Sequence, residues 1–183
     1  MDKNEIKNTL MENPKYDSGW IDNASELMAN YEHTENFLST YSAEQLSILI
    51  QANKDYPDDK EFLSIIYRPS LNVSQMTILL TAKSKGIDNS IIQKYADPDM
   101  PYAKMNYALQ AVSEGFNIHE EFNLSEFNTD QVYEIYAGYI TGVDYKVYAN
   151  PNIEPKYMGL IRHAMELDMD VKFDSQSIQC FFK

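Results

Sequence analysis

The chain is poor in the residues that staple, coordinate metals or grip phosphate. Of 183 residues, one is cysteine, Cys180, which excludes an internal disulfide and a cysteine-rich zinc site. Arginine occurs twice, as Arg68 and Arg162. Lys and Arg together number 15 against 28 Asp and Glu, a net charge of −13. That balance repels phosphate backbones, which nucleic-acid binders meet with Lys and Arg, and it argues against direct DNA or RNA binding. No apolar run approaches the ~18 residues of a membrane span. The opening MDKNEIKNTLMEN is charged and has no apolar core, so a secretory signal is not expected and a cytoplasmic location follows. A glycine-rich phosphate loop, an HExxH helix and a nucleophile elbow are all missing. Cys180 and the histidines share no motif, so a Cys–His hydrolase has no support.

Apolar residues, by contrast, make up 44% of the chain, enough to build a core. They are laid out periodically. Five units open on an apolar residue at Tyr41, Leu71, Met100, Phe127 and Ile153, a period that shrinks from about 30 residues to about 26. Five positions into each unit stand Leu46, Met76, Met105, Val132 and Met158. Three positions later stand Leu49, Leu79, Ala108, Ile135 and Ile161. These fall on one helical face. Three further on the residue is always small: Ala52, Ala82, Ala111, Gly138 and Ala164, which points to a close neighbouring backbone.

Each unit carries helix start and stop signals. Ser42 with Gln45, Asn72 with Gln75, and Asn128 with Gln131 read as capping boxes. Pro155 suits the first turn of the last unit's helix. Gly86, Gly115 and Gly142 stand where a left-handed residue ends a helix, with Tyr56 and Asp168 at the equivalent places. Asp58, Asp88, Asn117, Asp144 and Asp170 then read as N-caps of a second, short helix, which Pro98 and Pro151 end in the motifs YADP and YANP.

The predicted fold is therefore all-α: a solenoid-like stack of five helix–turn–short-helix repeats over residues 41–174. Residues 1–40 form an N-terminal helical cap in this reading, with Asn23 and Glu26 opening its second helix. Residues 175–183 form a C-terminal tail that docks Phe181 and Phe182 on the last repeat or makes a dimer contact.

The skeleton apolar-N-x-x-Q-M, then G-apolar-D, then Y-A-D/N-P resembles a family of short helical repeats found in proteins of phages and integrative mobile elements of Gram-positive bacteria. The resemblance spans Tyr41 to Asp174, with Lys104 and Tyr157 in place of the capping Gln and Asp168 in place of Gly. It implies an anti-defence role. Among acidic proteins of this kind, the chain looks like an anti-CRISPR protein that inhibits the RNA-guided type II effector nuclease. No catalytic residue, cofactor or metal comes with the resemblance.

The fourth unit departs from the polar pattern of its outer positions. Tyr133 stands where other units carry Ser47, Thr77, Asn106 and Gly159, and Ile140 where they carry Lys54, Ser84, Ser113 and Glu166. Adding Tyr136, Tyr139, Tyr145 and Tyr148, with Asp144 beside them, gives a tyrosine-rich candidate surface for a host defence protein or for self-association. The alternative is that these rings pack against neighbouring units. Acidity has two readings as well: solubility, or competition with nucleic acid for a basic groove on the partner. Three other constellations are weaker. His163, Glu166, Asp168 and Asp170 could hold a cation, but a charged helix end explains them equally. His119, Glu120 and Glu121 could work as acid and base on RNA, yet suit a solvated short helix better. The string PDDK at Pro57–Lys60 is contiguous at a helix start, unlike the separated carboxylates of a nuclease core.

Overall fold

The computed structural model describes residues 3–12, 14, 16–29, 40–173 and 178–182, with side chains described through Met169. The backbone divides into two compact units, residues 1–98 and 99–183, and the boundary falls between the second and third repeats.

Unit 1 begins with α1 (Lys3–Met11) and α2 (Ser18–Ala29), followed by α3 (Ala43–Asp55), α4 (Lys60–Ile66), α5 (Val73–Ser84) and α6 (Asn89–Tyr95). Helix α2 differs from the expected start at Asn23. Asp17 accepts the Trp20 N–H at 2.8 Å and so caps the chain about a turn and a half earlier. The Trp20 ring stacks on Tyr16 at 4.0 Å, and its Nε1 donates to Ser47 Oγ on α3 at 2.9 Å. Helix α2 packs on α3, and α3 on α5.

Unit 2 contains α7 (Tyr102–Ser113), α8 (Ile118–Glu121), a 3-10 turn (Leu124–Glu126), α9 (Thr129–Thr141), a second 3-10 turn (Tyr145–Val147) and α10 (Pro155–Glu166). Helix α9 packs on both α7 and α10. Within each unit, then, successive repeats are neighbours in chain order. The body of the chain is all-helical, as predicted, and each long helix has 12 or 13 residues.

The end of the chain requires a correction. After α10 come β1 (Met169–Phe173) and β2 (Ile178–Phe182), an antiparallel pair with Val171 opposite Cys180. Asp170 thus lies in a strand and opens no short helix, and the paired strands stand on either side of the expected boundary between the repeats and the tail. The reason is a change of period. MDVKF alternates apolar and polar residues in the two-residue rhythm of a strand, where a short helix needs turns of 3.6, and the apolar, aromatic-ended IQCFF pairs with it. The expected docking of Phe181 and Phe182 concerns side chains outside the described residues.

The repeat positions explain the core. Leu46, Met76, Met105, Val132 and Met158, with Leu49, Leu79, Ala108, Ile135 and Ile161, are all buried to within 1%. Each of these side chains larger than alanine contributes about 1.5–3 kcal/mol on leaving water, so this face rather than helix propensity holds the modules. Gly86, Gly115 and Gly142 take φ of 80°, 90° and 77°, and Asp168 takes the same left-handed corner at 56°. Tyr56 does not. It leaves α3 at φ −134°, directly before Pro57.

The three capping boxes form as read: Gln45, Gln75 and Gln131 accept their own N-cap N–H at 2.8–2.9 Å. Each amide nitrogen has a second task that the sequence did not announce. Gln45 Nε2 donates to Leu71 O at 2.7 Å and Pro69 O at 3.3 Å, Gln75 to Asp97 O and Pro98 O, and Gln131 to Pro151 O and Ile153 O. One side chain therefore caps its own helix and holds the chain leading into the next module. Lys104 keeps the second function without the first, donating to Phe127 O at 2.6 Å from a buried position.

Candidate partner-binding surface

The tyrosines of the fourth repeat separate into three groups. Tyr148 is core. It is fully buried, and its hydroxyl donates to Glu134 O at 3.0 Å across α9. Burial, ahead of nearby Glu134, Glu166 and Asp144, pushes its pKa up.

Tyr139 and Tyr145 tie the fourth repeat to the third. Tyr139 stacks on Phe116 with ring centroids 4.6 Å apart, and its hydroxyl donates to Glu114 O at 3.1 Å. Tyr145 lies 5.0 Å from Phe116 and 6.2 Å from Phe122, and donates to Glu121 Oε2 at 3.1 Å. Burial and the acceptor Glu121 push its pKa up to about 12. Lys146 joins the same carboxylate at 3.0 Å. Asp144 caps the adjoining 3-10 turn through the Lys146 N–H at 3.2 Å. For Tyr139 and Tyr145 the packing alternative describes what the rings do, whereas Asp144 is exposed and caps a turn of its own repeat.

Tyr133, Tyr136 and Ile140 lie on the outer part of α9. Tyr133 is 40% exposed and Ile140, two turns further on, 51%. Tyr136 is half-buried, and burial together with the charge of Glu114 raises its pKa. A third ring completes this group. Tyr107 on α7 lies 5.1 Å from Tyr133 and 6.4 Å from Tyr136. The sequence reading missed Tyr107, because its position in the unit is a lateral one that only packing distinguishes. Around this shelf stand Glu114 at the end of α7 and Asp130 one turn before Tyr133, both exposed. The described cations of this unit are occupied elsewhere: Lys104 on a carbonyl, Lys146 on Glu121, Lys156 on Glu154 and Arg162 on Glu134 and Glu166.

The remaining constellations have structural occupations. Arg162 bridges α10 to α9 through Glu134 at 2.8 Å and holds Glu166 at 2.6 Å, and His163 Nδ1 lies 3.3 Å from the same Glu166. Glu166 is thus engaged from two sides, while Asp168 serves as the left-handed helix exit. The His119 side chain is only 10% exposed, with Nε2 3.9 Å from Glu120. Asp59 of the PDDK string caps α4 through Phe62 N–H at 3.0 Å and pairs with Lys83 at 2.5 Å. Among the described residues no three His, Cys, Asp or Glu gather as a metal site, and no helix is long and apolar enough to cross a membrane. Compared with known protein families, curated proteins and solved structures, the chain matches none.

Proposed function

We propose that the chain is a non-enzymatic, acidic binding protein that docks on a basic groove of a protein partner. The observation that carries this reading is the shelf of Tyr107, Tyr133 and Tyr136, flanked by Ile140, Glu114 and Asp130 and with the unit's described cations engaged elsewhere. Tyrosine offers a large contact area with few rotors to freeze, and carboxylates around it favour a partner rich in Lys and Arg. A net charge of −13 would speed encounter with such a groove and disfavour other surfaces.

In its specific form, the partner is a host defence protein, the RNA-guided type II effector nuclease, whose guide-RNA or DNA channel the protein obstructs as an anti-CRISPR inhibitor acting in the cytoplasm. This step rests on the repeat resemblance and on charge. The test is incubation of the purified protein with guide RNA, with and without the nuclease. Co-elution with intact RNA and lost nuclease–DNA binding is the expected result. Shortened RNA would replace the reading with a hydrolase, and no co-elution would remove the nuclease as partner.

A further inference from the structure

We propose that the tyrosine shelf selects an arginine side chain of its partner, stacked on Tyr133 and bonded to the Glu114 carboxylate and the Tyr136 hydroxyl. This rests on the reading of the shelf as the surface for a basic partner, and adds which cation it takes.

The hydroxyls of the fourth repeat's tyrosines divide by use. Those of Tyr139, Tyr145 and Tyr148 donate to Glu114 O at 3.1 Å, Glu121 Oε2 at 3.1 Å and Glu134 O at 3.0 Å. Those of Tyr133 and Tyr136, and of Tyr107 beside them, have no hydrogen-bond partner among the described residues. Phenylalanine would pack between α7 and α9 as well, so packing alone leaves these three hydroxyls unexplained. An apolar partner laid on the shelf would strip water from them and return nothing. A partner that brings donors satisfies them.

Charge makes that donor a cation. From Met105 to Tyr145 the chain has no Lys or Arg. Glu114 is exposed at the end of α7, where its own carbonyl is held by Tyr139. Burial first, and then the charge of Glu114, raises the pKa of Tyr136, which puts the carboxylate within reach of the shelf. Ring geometry then separates the two basic side chains. Tyr107 and Tyr133 meet at 54° with centroids 5.1 Å apart, so neither ring covers the other's face, and Tyr133 stays 40% exposed. A planar, weakly hydrated guanidinium lies flat on such a face and keeps its in-plane N–H groups for carboxylate and phenol oxygens. A lysine ammonium is a compact point charge that must shed a tighter water shell to do the same.

The test is calorimetric titration of the full chain with hexa-arginine and with hexalysine, at about 0.15 M salt to screen diffuse attraction. Hexa-arginine should bind at least ~10-fold tighter. Tyr133→Leu, which keeps an apolar contact for Tyr107, and Glu114→Gln, which keeps the carbonyl that Tyr139 uses, should each abolish that preference with far-UV circular dichroism unchanged. Should Tyr133→Leu unfold, Glu114→Gln decides alone. Equal affinity for the two peptides, lost in both variants, would overturn the arginine assignment and support the basic-partner reading. A preference for arginine that both variants retain would place the cation elsewhere and overturn both. Binding of neither peptide would overturn the arginine assignment, and titration of the nuclease then decides the basic-partner reading by itself.

Discussion

The hydroxyl of Tyr148 fills the space a side chain on Gly138 would need: a β-carbon there would stand 1.9 Å from it. The other four repeats place alanine at this small position. In the fourth, the extra room admits a ring, which reaches over α9 to bond Glu134 O.

Gly138→Ala should therefore destabilise the protein by about 1–3 kcal/mol through overpacking, despite alanine's better helix propensity. Tyr148→Phe removes the clashing oxygen along with one hydrogen bond. In urea unfolding the double variant should cost less than the two single costs added, the mark of residues in contact. Plain additivity would contradict the geometry.

Removing a clamp should cost more than removing a cap. Gln131→Leu deprives the Asn128 N–H, Pro151 O and Ile153 O of their partner together. All three groups are only part-buried, so water recovers some of the ~1–3 kcal/mol that each would lose if sealed from solvent, and a total loss of about 2–4 kcal/mol is expected. Lys104→Met should cost less. It strands one carbonyl, and it relieves the burial of an ammonium whose pKa desolvation has lowered. Equal losses in denaturant titration would contradict the dual role assigned to the glutamine.

Tyr145 predicts an alkaline limb in stability. Its pKa is about 12 in the folded chain against 10.0 for the free side chain. The neutral phenol is the form that folding favours, so its contribution is complete below pH 10 and is lost as pH rises toward 12. Tyr145→Phe keeps the ring against Phe116 and removes the titration. Chemical denaturation from pH 9 to about 12 should show a shallower fall for the variant than for the wild type. Parallel curves would mean that burial and Glu121 do not raise the phenol's pKa in the folded chain.

What could be read from the sequence was whatever a fixed spacing encodes. Asn72 with Gln75 forces a cap wherever it stands before an apolar face, and Gly142 or Asp168 forces an exit when followed by an apolar residue. Departures were harder. Asn23 with Glu26 looks like a cap, but Asp17 lies earlier with Trp20 anchored behind it, and tertiary contact to Ser47 favoured the longer helix. The terminal hairpin was visible as alternation in MDVKF, yet Asp170 in the repeat's rhythm suggested a helix. The second bond of each glutamine and the place of Tyr107 could not be read at all. Both depend on which chain segment packs alongside, and that information is long-range.

On the proposed function, Tyr133 and Tyr136 form a surface for a basic protein partner. Calorimetric titration of a type II effector nuclease with the wild type and with Tyr133→Ala, Tyr136→Ala tests it most directly. Wild-type affinity should weaken as salt rises, and the variant should show at least a ~10-fold loss, equivalent to about 1.4 kcal/mol, with helicity unchanged. Equal affinities for the two proteins would contradict it.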